Sequence, residues 1–421
     1  MSAPGRSALH RPCPSRPRRT FASPRCGSSL ASLALFAWVV AGAARPARAT
    51  TCDSLPNPVY VMGSTAVKPL LAEIAKVVLT ADPPVTVIYA GRGSCTGVDA
   101  IVNGAPVRGA ADTALVTWTA SGVEQKCDIP LDGPGAVVDV GISDVFASTC
   151  FNLPGGVPSN VADFLGPIQT MTFVVPKAST ETAISAEAAY NVFGFGADSG
   201  VAPWTDETTV IRRDAQSGTQ QMIAAAIGVD AGRWKGTAST SSSDLLSKLA
   251  TAGASALGIL STDVAQENRS TLLNVLAYQH FGQTCGYYPD RDATSNEKAN
   301  VRDGHYAIWG PLHLLTHVTA AGLPLKPPVA DVIGYMAGTK PTPSTLDLVY
   351  LEAQRHVVPP CAMRVRRTQE MGPLSSFAPA GACGCYYEKV ANGATRCAPC
   401  TGSQDCAATA PVCSYGYCET Q

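Results

Sequence analysis

Short β-rich runs alternate with amphipathic stretches from about residue 50 to residue 355, and three of the joints between them are loops of Gly, Ser and Thr. Runs 59–62, 85–90, 137–142, 170–175 and 208–212 have strand composition, whereas 70–79, 98–102, 220–227 and 243–249 have helical spacing. Strands that alternate with helices return in the same direction, so the pattern predicts an α/β domain with parallel strands. A chain of 421 residues, 46% hydrophobic and 15% charged, can bury such a core and is neither disordered nor a coiled coil.

The ends differ from this middle. Residues 1–49 hold eight Arg and no acid, then an apolar run of fifteen residues (30–44), then Ala47-Arg48-Ala49. That order of basic region, apolar run and small-x-small site is that of a secretory signal. The run is shorter than the roughly twenty residues needed to span a bilayer, so export without a membrane anchor is expected. Pro17-Arg18-Arg19-Thr20-Phe21 resembles a twin-arginine export motif. Taking the eight Arg from the 31 Lys and Arg of the whole chain leaves 23 against 32 acids, a formal −9. Such a surface argues against a nucleic-acid partner.

Removal of residues 1–49 takes Cys13 and Cys26 and leaves 13 of the 15 cysteines. Eight of these crowd residues 361–418, beyond Pro359-Pro360, where the apolar period stops. In an oxidising compartment the thirteen read as disulfides, the odd total leaving one free or intermolecular thiol, and the tail 359–421 depends on its cross-links because it is too small and polar to fold on its own core. Zinc at Cys397-Ala398-Pro399-Cys400 with Cys383 and Cys385 is the lesser reading. His313 and His317, four apart in a mostly apolar segment, are expected on a packed or surface helix rather than at a metal. Asp206, Glu207 and Asp214 read as cap and turn residues, and no nucleophile motif points to catalysis.

The three loops carry the chemistry: Gly63-Ser64-Thr65-Ala66-Val67-Lys68-Pro69, Gly91-Arg92-Gly93-Ser94-Cys95-Thr96-Gly97 and Arg213-Asp214-Ala215-Gln216-Ser217-Gly218-Thr219. Each follows a strand and opens a helix. Helix N-termini, hydroxyls and one Arg that converge make an anion site.

These blocks, with Asp139-Val140-Gly141-Ile142-Ser143-Asp144 and Tyr190-Asn191-Val192-Phe193-Gly194 followed by Pro203-Trp204, resemble the periplasmic phosphate-binding proteins of ABC transporters. The likeness covers about residues 57–265; the tail has no counterpart in that family. It implies a two-lobed type II periplasmic-binding-protein-like α/β fold with an added small disulfide-rich tail. The lobes would be 50–172 with 258–358, and 173–257, with the chain crossing near 173–176 and returning near 258–260. It also implies phosphate contacts from the side chains of Thr65, Ser94, Asp144, Arg213, Ser217 and Thr219 and from the backbone N–H of Ala66 and Gly218. Arg213 would bind two oxygens at once. Asp144 would accept a hydrogen bond from protonated phosphate and repel fully ionised sulfate. Cys95, where the family has a small residue, would either fix the loop as a disulfide or add a thiol to the cleft, and Arg92 would add a second positive charge. The function implied is that of an exported monomeric protein, periplasmic or at the cell surface. It would bind phosphate or a similar oxyanion for uptake or sensing, with ABC-transporter membrane subunits as partners and with no cofactor, metal or catalysis. A surface adhesion protein with a vestigial cleft and an exported phosphatase are the alternatives.

Overall fold

The computed structural model describes residues 50–108, 115–130, 133–151, 153, 156–344 and 346–420; the expected signal segment lies outside them. The described chain forms one compact unit. It starts with β1 (Pro58–Gly63), α1 (Lys68–Leu79), β2 (Thr86–Gly91), α2 (Ser94–Val102), β3 (Leu115–Trp118), β4 (Glu124–Cys127), β5 (Val140–Ser143) and α3 (Ala147–Cys150). Then come β6 (Val161–Pro176), β7 (Ala183–Ser185), α4 (Ala186–Phe195), β8 (Val210–Arg212), α5 (Gly218–Ile227), β9 (Thr237–Ala238), α6 (Ser242–Thr251), β10 (Leu257–Ser261), α7 (Thr262–Asn268), β11 (Leu273–Val275) and β12 (Ala277–Gln279). It ends with α8 (Ala299–Arg302), β13 (Trp309–His317), α9 (Pro327–Met336), α10 (Leu348–Gln354), β14 (Val365–Arg366), β15 (Ser375–Ser376), α11 (Gly384–Asn392), β16 (Val412–Ser414) and β17 (Tyr417–Glu419).

One large sheet runs in the order β4-β3-β2-β1-β5-β13-β6-β10-β8-β9, with β11 also on β6. Strand β1 lies parallel to β2 and β5, and β10 lies parallel to β8, as the alternating pattern requires. Both faces of the first part are covered. Val59 and Val61 of β1 enter one apolar cluster with α1 and α9, and their neighbours Tyr60 and Met62 enter another with α2. A strand buried on both sides reads as a continuous apolar run, with the period of two visible only in which cluster each residue joins.

Strand β6 connects the two parts. Its residues 161–170 pair with β13, whereas Met171–Val174 pair with β10 and Val174–Pro176 with β11. The expected return at 258–260 differs from these pairings: Gly258 and Leu257 lie between β6 and β8, inside the second part of the sheet. The chain rejoins the first part at Trp309, opposite Thr170.

The helix expected around His313 and His317 is instead β13. Leu312 and Leu314 face one cluster and Leu315 the other, so two-sided burial and not a helical stripe makes the segment apolar. Four residues apart on a strand is roughly 13 Å, too far for a shared metal. His313 bonds Asp163 (2.7 Å) and His317 bonds Asn160 (3.3 Å).

In the tail, Cys361–Cys383, Cys385–Cys397, Cys400–Cys413 and Cys406–Cys418 are disulfides; outside it, Cys285 is the one free thiol among the described residues. The tail does not depend on cross-links alone. Cys383 and Tyr387 are fully buried in the same apolar cluster as Val349, Ala353 and Val358. No helix among the described residues is long and apolar enough to cross a membrane.

Candidate functional site

Three loops and one strand end meet where the two parts of the sheet face each other. Loop one leaves β1 and bends at Gly63 into α1, whose Pro69 occupies the first turn, where a missing N–H costs nothing. Loop two leaves β2, and α2 begins on Ser94 itself. The Cys95–Cys150 disulfide settles the alternative at Cys95 and fastens this loop to α3. Loop three leaves β8 as a turn in which Asp214 accepts from the N–H of Gln216 (2.8 Å), and Ser217 stands at the N-cap position of α5 without a side-chain cap bond. Asp144 directly follows β5.

The closest contacts gather on Asp144. Ser64 donates to one carboxylate oxygen (2.6 Å) and Ser94 to the other (3.1 Å), while the Asp144 N–H donates to the Ser94 hydroxyl (3.0 Å). All three residues are buried. Burial pushes the Asp144 carboxyl above its usual range, against the pull of the two serines, Arg213 and His313. The start of α5 packs onto this cluster so closely that a Cβ on Gly218 would lie 2.2 Å from the Ser94 hydroxyl and 2.6 Å from an Asp144 carboxylate oxygen. At Gly93, in the left-handed region (φ +102°), an added Cβ would meet the Gln216 carbonyl oxygen at 2.6 Å. The Cys95 N–H donates to that same carbonyl (3.1 Å).

Arg213 is 2% exposed, and among the described residues no carboxylate lies within ion-pair distance of it. Its guanidinium is held at its rim by the Ser239 carbonyl (3.3 Å), the Ser242 hydroxyl (3.4 Å) and the Thr240 carbonyl (3.4 Å). Three of its five N–H groups are thereby placed and two are left for another acceptor. Burial lowers its proton affinity, opposed by Asp214, Asp144 and Asp244. A buried cation with long neutral contacts is stabilised far better when an anion joins it.

Thr65, Ala66, Ser94, Asp144, Arg213, Ser217, Gly218 and Thr219 thus fall on these converging loops. Ser94, Asp144 and Gly218 touch, and Arg213 lies close enough for its charge to act on Asp144. The Ala66 N–H already donates to Ser64 (3.2 Å). The hydroxyls of Thr65, Ser217 and Thr219 make no hydrogen bond among the described residues, although Ser217 and Thr219 are buried. Thr65 and Ala66 also line a cavity of about 430 Å³ that opens toward Ser241, Ser242 and Ser243. Arg92 donates to the Arg108 carbonyl (3.3 Å).

Several participants escape the motif reading. Ser64 holds Asp144, and the Tyr89 hydroxyl donates to the Ser64 carbonyl. The run Ser239-Thr240-Ser241-Ser242 cradles Arg213; its hydroxyl density ahead of a helix was the available signal. Glu370 comes from far along the chain: it accepts the Phe146 N–H (3.4 Å), two residues after Asp144, and its other oxygen is buried without a partner. Nothing in its local sequence marks it.

No protein-family profile and no curated protein matches the sequence. Among solved structures, the chain is similar to a putative phosphate ABC transporter substrate-binding protein with bound phosphate from Clostridium perfringens, at 13% identity and a TM-score of 0.47, over 72% of this chain and 99% of that one. It is similar to an ABC-type phosphate transport receptor from Vibrio cholerae at 15% identity and 0.46, over 72% and 100%. A possible phosphate binding protein from Planctomyces limnophilus follows at 17% identity and 0.43, over 73% and 94%. Likeness at this level assigns no ligand.

Proposed function

We propose that this protein is an exported, non-catalytic binding protein for phosphate or a closely similar oxyanion, taken up between the two parts of the sheet. The observation that carries the reading is the pairing of Arg213, buried with no carboxylate, with Asp144, buried and held by two hydroxyls. A tetrahedral anion between them would receive two guanidinium N–H groups, the hydroxyls of Thr65, Ser217 and Thr219 and the N–H groups at the start of α5. Asp144 has lone pairs beyond the two taken by Ser64 and Ser94, enough to accept from a phosphate hydroxyl. Sulfate brings no proton and would place like charges together in a dry site.

Binding rather than turnover is supported by the hydroxyls themselves. Ser64 and Ser94 donate to a carboxylate, and among the described residues no imidazole bonds to either or to Ser217. Six disulfides suit an oxidising compartment. The change of partners within β6 at 170–171 and the return at Trp309 suggest lobes of about 50–170 with 309–358, and 171–308, with closure about these two strands. Uptake through ABC-transporter membrane subunits, or sensing, would follow from release on opening.

Titration calorimetry of the mature chain with phosphate, arsenate and sulfate tests the reading. Phosphate is expected to bind and sulfate not. Arg213→Ala should weaken phosphate at least thirty-fold or so, the low end of what removing one partner of a buried charge pair costs. Asp144→Asn should narrow the preference for phosphate over sulfate. No phosphate binding by the intact protein overturns it.

A further inference from the structure

A second cavity, of about 610 Å³, lies away from this site, between α10 and the Cys-rich tail. Its wall mixes prolines with side-chain donors, since Thr339, Thr342 and Lys340 also line it. Pro341, Pro359 and Pro360 line it and have no N–H to give. Glu352 lines it too, 2% exposed, and among the described residues nothing hydrogen-bonds to its carboxyl. Burial, reinforced by the charge of Asp347, pushes that carboxyl well above the usual range, which favours its protonated form.

The charged groups nearby are already engaged. Asp347 accepts from the Tyr350 N–H (2.9 Å) and from the Tyr386 hydroxyl (2.5 Å), and Lys340 pairs with Asp331 (2.5 Å). Over the rim stands Tyr415, 51% exposed, at the tip of the β16–β17 hairpin. Its ring stacks on Tyr386 with centroids 5.5 Å apart and planes 9° from parallel. Tyr350, beside Asp347, is 50% exposed as well. A stacked pair fixes an aromatic face at little entropic cost, and a tyrosine so exposed has an apolar face to cover.

We propose that this cavity is a carbohydrate-binding site, taking a short run of neutral sugar residues with one ring against Tyr415 and hydroxyls reaching Glu352. A wall whose charged groups already have partners, and which also offers hydroxyls and a buried carboxyl, suits a ligand rich in hydroxyls and without charge, and a sugar ring also offers a C–H face to tyrosine. A cationic peptide would need a free carboxylate there, and Asp347 is already satisfied. The proposal is independent of the anion site and gives the tail a binding role of its own.

The test titrates the intact mature protein with cellotetraose, chitotetraose and maltotetraose, and with tetralysine as the cationic rival. At least one tetrasaccharide should bind in the millimolar range or tighter. Tyr415→Ala should weaken it about tenfold, the scale of one lost aromatic contact. Glu352→Leu should abolish it, while Glu352→Gln, which keeps an uncharged polar group, should retain it. Thermal unfolding of each variant serves as the fold check, and if Glu352→Leu does not fold, Tyr415→Ala and the wild-type titrations decide. Absence of binding by all three saccharides, binding of tetralysine alone, or saccharide binding unchanged in Tyr415→Ala overturns the proposal.

Discussion

Glu370 reaches Asp144's turn from a segment 224 residues beyond Phe146, and its protonation depends on being there. Burial pushes its carboxyl from the ordinary 4.5 up to about 7, against the pull of Arg367 and His313. A group that holds its proton more tightly folded than unfolded stabilises the fold below its unfolded value. That stability is lost as pH rises through the folded value. Between pH 4.5 and about 7 the Glu370 contribution therefore falls with rising pH. Asp263, raised by burial to about 6, acts in the same sense, and His356, lowered by burial to about 4, acts in the opposite one. The net slope thus mixes these with other buried carboxyls raised in the same sense, Asp144, Asp290 and Glu352 among them, and a single replacement isolates one. Melting temperature against pH should decline less steeply over that window in Glu370→Gln than in the wild type; an unchanged slope would show that the carboxyl does not titrate there. Gly218 supports a second residue-scale prediction. Its missing Cβ is what lets α5 rest on Ser94 and Asp144, so Gly218→Ala should abolish phosphate binding while costing about 1–3 kcal/mol of stability by denaturant unfolding.

At the scale of elements, what could be read from sequence depended on how local the cause was. β1, β2, α1 and α5 were legible because Gly, Pro and hydroxyl residues mark their ends. The loops of the site were legible for the same reason. β13 was not: a strand buried on both faces has no alternation in composition, and two histidines at helical spacing suggest a helix. Nor could Glu370 be found, since its place follows from how residues 361–377 fold back. That segment is tied at several points. Arg302 donates to the Ala362 carbonyl (2.9 Å), Arg364 pairs with Asp303 (2.7 Å), and the Arg367 guanidinium lies 4.2 Å from the Trp309 ring centre while donating to Ala307 (3.1 Å). Trp309 is where the chain re-enters the first part of the sheet, so the segment braces the crossing. Arg367→Ala removes one cation–π contact, the hydrogen bond to Ala307 and a weaker one to the Met371 Sδ (3.5 Å), and should cost about 1–3 kcal/mol, with a shift in tryptophan emission. Unfolding followed by fluorescence measures both.

Across the whole molecule the disulfides divide into two kinds, and the division separates the anion site from the tail. Cys95–Cys150 closes a span of 55 residues next to Ser94, whereas Cys406–Cys418 closes 12 within the tail. On the chain-entropy account these are worth about 4 and about 3 kcal/mol, a small difference in stability. Their effects on function should differ far more. Without Cys150, loop two loses its tie to α3, and Ser94 must be held by its bonds to Asp144 and by backbone contacts from Cys95 to Gln216 and from Arg92 and Gly93 to Gly63. The double replacement Cys95→Ala with Cys150→Ala should therefore weaken phosphate binding as well as lower the melting temperature. Cys406→Ala with Cys418→Ala should loosen β17 and the hairpin that carries Tyr415, leaving phosphate affinity unchanged. Calorimetric titration beside thermal unfolding of both double variants distinguishes the two cases. Equal losses of phosphate affinity would mean that the tail and the cleft are energetically one structure.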